Sequence, residues 1–144
     1  MTIANVNPIF VHHPVVTQSS LPATTVNTAR DGSGTITTIY TADSAVNGSL
    51  VECIHFIGQG TTTTGIVNLF RKAGGTGSFV FVGQVSYTGT TPSATVAAAD
   101  FFYTGSDMPM RLGTNDLLGA ATTQSNTAAI TALVQGGPLV NSDA

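Results

Sequence analysis

Three histidines, one cysteine and seven carboxylates are the side chains of this chain best suited to hold a metal or move a proton. His12-His13 is the only local pair of metal-ligand type. Adjacent residues on an extended chain point to opposite sides, so this pair cannot converge on one ion without a turn. His55 stands far off and alternates with apolar residues, which makes a strand histidine the simpler reading; a three-histidine cluster gathered by the fold stays open. The acids Asp31, Asp43, Glu52, Asp100, Asp107, Asp116 and Asp143 are scattered. Glycoside hydrolysis needs two carboxylates across one cleft, about 5–10 Å apart. Glu52 and Asp100, both in strand-like runs, are the best candidates, and each is more simply a solvent-facing strand residue. Cys53 has no second cysteine to pair with and sits in the apolar run LVECIHFIG, where a buried, inert thiol is expected.

Short motifs add little chemistry. RDGSG, residues 30–34, lacks the ligand spacing and terminal Glu of a calcium loop, and Asp with Gly reads as a turn. GQGTTTTG has no Gly-Lys-Ser/Thr and is not a phosphate-binding loop, and no Gly-x-Ser-x-Gly elbow appears. Asn47-Gly48-Ser49 matches a glycosylation sequon, but Asn-Gly is also a favoured hairpin turn. No metal, no cofactor and no catalytic role are expected.

The elements that carry these groups read as β-strands. In GTITTIYTA, Ile36, Thr38 and Tyr40 alternate with Thr35, Thr37, Ile39 and Thr41. SLVECIHFIG alternates Leu50, Glu52, Ile54 and Phe56 against Val51, Cys53, His55 and Ile57, with both faces partly apolar. IVNLFRKAG is a further strand, and SFVFVGQVSYTG places Phe79, Phe81, Val85 and Tyr87 on one face. SATVAAADFFY is read as strand, MPMRLGTN and TAAITALVQGG close the body, and DLLGAATTQSN between them reads as a polar turn region. Strands every 10–15 residues or so, without a convincing helix, predict an all-β fold. The expected architecture is an antiparallel β-sandwich, jelly-roll-like, of about eight strands. An immunoglobulin-like topology is the runner-up, weakened by the absence of Trp and of a cysteine pair.

Composition bounds the partners. Charged residues are 8% of 144, against roughly 25% in an average domain, and the net charge is −3. With only Arg30, Arg71, Lys72 and Arg111 as cations, no nucleic-acid partner is expected. No apolar run approaches the roughly 18 residues that cross a bilayer, so no membrane partner is expected. The N-terminus lacks a basic region followed by a continuous apolar one, so no signal peptide is expected and synthesis is placed in a cytoplasm. Residues 1–29, with Pro8, Pro14 and Pro22, read as an extended N-terminal arm; residues 30–137 form the sandwich, and 138–144 a C-terminal tail. The arm's apolar residues Ile3, Ile9, Phe10, Val11, Val15, Val16 and Leu21 are the candidate partner contacts. An edge strand packed on the chain's own body is the other reading of the segment.

Several segments together resemble a family of small tailed-bacteriophage virion proteins. In that family DGTGT opens the first strand, AGANGS makes a turn, GTTT precedes VRLF and Gly-Gly follows the last strand. Here the corresponding stretches are DGSGT at 31–35, AVNGS at 45–49, GTTT at 60–63, VNLF at 67–70 and Gly136-Gly137, so the likeness spans residues 28–137. The resemblance implies a β-sandwich virion component: a capsid decoration, or cement, protein bound to the major capsid protein on the virion surface, assembled as a homotrimer. It supplies no active-site residues. The alternative is a tail-fibre or tail-associated host-recognition module that binds glycans, with Tyr40, Tyr87 and Tyr103 as possible platforms for sugar rings.

Overall fold

Runs of Thr, Val, Ile and aromatic residues become strands, and Gly, Asn and Pro punctuate them. The computed structural model describes residues 9–11, 14–44 and 47–141. Among these are ten strands: β1 (Ile9–Val11), β2 (Val15–Leu21), β3 (Thr37–Thr41), β4 (Ser49–Gly58), β5 (Gly65–Lys72), β6 (Val80–Tyr87), β7 (Asp100–Phe102), β8 (Met110–Leu112), β9 (Leu117–Thr122) and β10 (Ile130–Asn141). They form two sheets, with every strand pair antiparallel.

In the first sheet β10 and β4 lie at the centre. The short strands β1 and β2 share the outer side of β10, and β7 and β8 share the outer side of β4. The second sheet runs β3-β9-β5-β6. Early strands therefore pair with late ones in nested fashion, β2 with β10 and β3 with β9, while β5 and β6 close the middle as a hairpin. This is jelly-roll wiring, as expected from the strand spacing. The core between the sheets includes Val51, Ile54, Phe56, Val67, Leu69, Leu118, Ile130 and Val134, each 0% exposed.

Strict alternation fails at three places, and each is a β-bulge. On β4, Cys53 pairs with Gln135 but Val51 pairs with Gly136, so Glu52 is the extra residue. The bulge puts Val51 on the same inner face as Ile54 and Phe56, correcting the predicted alternation, and leaves Cys53, His55 and Ile57 outside. On β3, Ile39 is extra between Thr38 and Tyr40, so both Ile39 and Tyr40 are buried although alternation separates them. On β6, Val82 is extra between Phe81 and Gly83. Tyr87 and Val85 then face the core, while Phe79 and Phe81 pack edge-on against Phe70 on the opposite side of the sheet.

Two further expectations are corrected. LLGAAT, read as part of a turn region, is the buried strand β9 between β3 and β5. In SATVAAADFFY only Asp100–Phe102 is strand. The N-terminal segment also divides differently: residues 15–21 pair along β10 from Gly136 to Ile130, and Leu21 is 2% exposed in the core. β2 is thus an edge strand of the body, and β10 continues past Gly137 to Asn141.

The loop after β2 covers the outer face of the second sheet. Val26 bridges to Thr122, and the buried Asn27 amide donates to the carbonyls of Ser33 and Thr35 (2.9 and 3.1 Å) while accepting from the Ala29 amide (3.0 Å). Ile36 and Phe79 then pack over Gly119 so closely that a Cβ there would lie 2.5 Å from Ile36 Cγ2. Arg30 donates to Gln84 and lies over the Phe81 ring, and Lys72 lies 4.5 Å from the Phe79 centroid. RDGSG therefore does more than turn the chain: it lies on a second, smaller apolar layer.

Candidate docking face

The outer face of the first sheet brings together three of the chemistry-bearing groups that the sequence singled out, Cys53, His55 and Asp100. The strand registers set its layout. One row runs Val16, Gln135 and Cys53 across β2, β10 and β4. The next runs Gln18, Leu133, His55 and Phe102 and reaches β7, and a third runs Ser20, Thr131, Ile57 and Asp100. The Glu52 bulge is what turns Cys53, His55 and Ile57 to this side.

At its centre is a shallow cavity of about 190 Å³ lined by Val16, Cys53, His55, Phe102, Leu133 and Gln135. The His55 ring stacks on Phe102, with centroids 4.2 Å apart and planes 6° from parallel, and its Nε2 meets the Asp100 carboxylate. These contacts fix the imidazole from two sides. Val16 is 61% exposed and Phe102 48%, so the face presents apolar surface in a frame of amide, imidazole and carboxylate groups. Burying either side chain against a partner would contribute about 1.5–3 kcal/mol if it became fully covered.

The expected partner contacts are dispersed by the fold. Val16 lies on this face, Val15 is exposed on the same strand, and Val11 is half-buried in β1. Leu21 is committed to the core and has no surface to offer. Ile9 and Phe10 lie in β1, and Ile3 lies outside the described residues, as do His12 and His13. Cys53 is half-buried rather than fully enclosed.

Glu52 and Asp100 do not face one another. Asp100 is opposite Ile57, five residues along β4 from Glu52, a separation of about 16 Å at the rise of a strand. Asp100 instead partners His55, a pairing invisible without the β4–β7 register. Among the described residues no group of three or more His, Cys, Asp or Glu is placed to hold a metal ion. Tyr40, Tyr87 and Tyr103 are 6%, 5% and 7% exposed, so none offers an open ring to a sugar. Phe102 is the exposed aromatic of the outer face.

Two polar clusters elsewhere serve the scaffold. Asp116, 3% exposed, accepts from the amides of Gly74 and Gly113 and from Arg71, tying the β5–β6 and β8–β9 connections together. Burial pushes its carboxyl up, but the two amides and the guanidinium outweigh that and hold it below the usual carboxylate range. Tyr103 donates to Asp107 at 2.9 Å; burial first, then this hydrogen bond and the negative carboxylate, push its hydroxyl up to about 12. Spacing gave no signal of the Asp116 cluster, because it joins two connections far apart in sequence, whereas Tyr103 and Asp107 are four residues apart within the β7–β8 connection.

No protein-family model matches the chain, and no curated protein matches it in sequence.

Proposed function

We propose that the protein is a virion structural component, a capsid decoration (cement) protein that docks the outer face of its β2-β10-β4-β7 sheet on the major capsid protein lattice. The observation that carries this reading is the face itself: a broad sheet surface with exposed Val16 and Phe102, beside which His55 and Asp100 are paired with one another. Such a surface suits protein contact, since apolar area supplies affinity and a few fixed polar groups supply register. The strand-and-turn resemblance to tailed-phage virion proteins across residues 28–137 supports the same reading. The weakly charged, Thr- and Gly-rich composition suits close packing of many copies, where like charges would repel. Many modest contacts repeated over a shell then act together.

The test is co-expression with the major capsid protein encoded in the same genome, followed by sedimentation of assembled shells. The wild type should travel with the shells, and a folded Val16→Asp/Phe102→Asp double variant should stay in the supernatant. Equal occupancy by the double variant overturns the docking face, and absence of the wild type from shells overturns the decoration role.

A further inference from the structure

We propose that the free edge of β6 is a self-association surface, at which two copies of this chain pair their β6 strands antiparallel and join their second sheets into one. β6 forms one end of the β3-β9-β5-β6 sheet and at 8 residues is, among the described residues, the longest strand with an unpaired side. At the other end of the sandwich the Thr17 hydroxyl reaches the Ile39 carbonyl, so β2 and β3 close on one another. The edge strands β7 and β8 are 3 residues each.

Hydrogen-bond parity shows which groups β6 offers. Ile66 spends both its amide and its carbonyl on Thr123, on the β9 side of β5. Backbone polarity alternates along a strand, so Val67 turns toward β6 and meets Val85. Gln84 and Ser86, on either side of Val85, therefore direct their amides and carbonyls away from β5, and both residues are exposed. Exposed edges are commonly guarded by charge or proline, and VFVGQVSY holds neither. Its guard is the Val82 bulge, which leaves the Gly83–Tyr87 half straight.

A second copy is the occupant that matches. A two-fold axis at Val85 sets Gln84 of one copy opposite Ser86 of the other, so that the free groups of each strand satisfy the other's. The charges also agree. Arg71 and Lys72 lie beside the Val80 end, where Arg71 keeps 42% of its side chain exposed despite Asp116, and Asp100 lies with Ser86 and Thr88 around the cavity at the other end. Antiparallel pairing brings the cationic end of each copy toward the Asp100 end of the other. This pairing uses the β6 edge and shares only Asp100 with the docking face, and it gives dimers, in place of the trimer implied by the family resemblance.

Sedimentation equilibrium and concentration-dependent hydrogen exchange test it. The wild type should dimerise in the micromolar range, with the Gln84 and Ser86 amides gaining protection as concentration rises. Ser86→Pro removes an amide that β5 does not use, so the variant should keep the wild-type circular dichroism and lose at least about tenfold in association. A wild type that stays monomeric, a trimer, or a dimer whose Gln84 and Ser86 amides exchange as fast as in dilute solution overturns the proposal. Should Ser86→Pro misfold, the exchange measurement on the wild type decides alone.

Discussion

Arg71 donates its Nε–H to Asp116 Oδ2 at 2.7 Å, and that carboxylate is otherwise enclosed by the backbone amides of Gly74 and Gly113. A partly exposed cation thus anchors a buried anion, and the anion organises two chain reversals at one end of the second sheet. Asparagine at position 116 would turn an amide toward donors that need an acceptor. Asp116→Asn should cost about 2–3 kcal/mol, read from urea denaturation at neutral pH.

The same carboxyl sets an acid limit. Its folded pKa lies below its unfolded value of about 3.9, so its contribution is complete above that value and is lost as pH falls through the folded pKa. Stability measured from pH 5 downward should therefore decline less steeply in Asp116→Asn than in the wild type. Parallel declines would show that Asp116 is not the group responsible.

Tyr103 sets an alkaline limit by the opposite route. Its folded pKa, raised to about 12, exceeds its unfolded value of about 10, so its stabilisation is complete below the unfolded value and disappears as pH rises through the folded one. Tyr103→Phe should cost about 1 kcal/mol at neutral pH through loss of the hydrogen bond to Asp107. It should also flatten the fall in stability between about pH 10 and 12. An unchanged alkaline limb would assign that fall to other groups.

Asn68 is 0% exposed, and neither its amide nitrogen nor its carbonyl oxygen has a hydrogen-bond partner among the described residues. Its neighbours across the sheet are Ala121 and Gln84. Replacing a buried, unsatisfied amide by an apolar group of similar volume removes a desolvation cost. Asn68→Leu should raise the denaturation midpoint, by about 1–2 kcal/mol in stability. A lowered midpoint would mean that a trapped water satisfies the amide.

Truncation separates arm from body. Removing residues 2–25 deletes β2 and the buried Leu21, strips the side of β10 that β2 pairs, and should leave a chain without a cooperative thermal transition. Removing residues 2–8 spares every described strand and should leave the transition in place. Capsid occupancy is therefore to be compared between the wild type and the shorter deletion.

Much of the fold is legible in the local pattern. The runs at positions 37–41, 49–58, 65–72 and 80–87 are read as strands from their Thr, β-branched and aromatic content, although alternation along them is interrupted. β9 escapes that reading. Leu118 and Ala120 face the core while Gly119 lies under Ile36 and Phe79 and Ala121 is also buried, so the strand is buried on both faces and has no polar side to mark a period. Its small residues are dictated by that second layer, which no local window contains.

The chain's own residue types determined an all-β sandwich, a weakly charged surface and turns at the glycine-rich stretches, since these follow from propensities that act within a few residues. Tertiary structure alone decided which face each strand presents. The extra residues Ile39, Glu52 and Val82 are defined only by the partner strand opposite them, and each bulge reverses the side chains beyond it. His55 consequently stands outside with Phe102 and Asp100, and Val16 joins the same face through β10. Pairing over long sequence separations, with Gln135 aligned to both Val16 and Cys53, is what turns scattered residues into one surface.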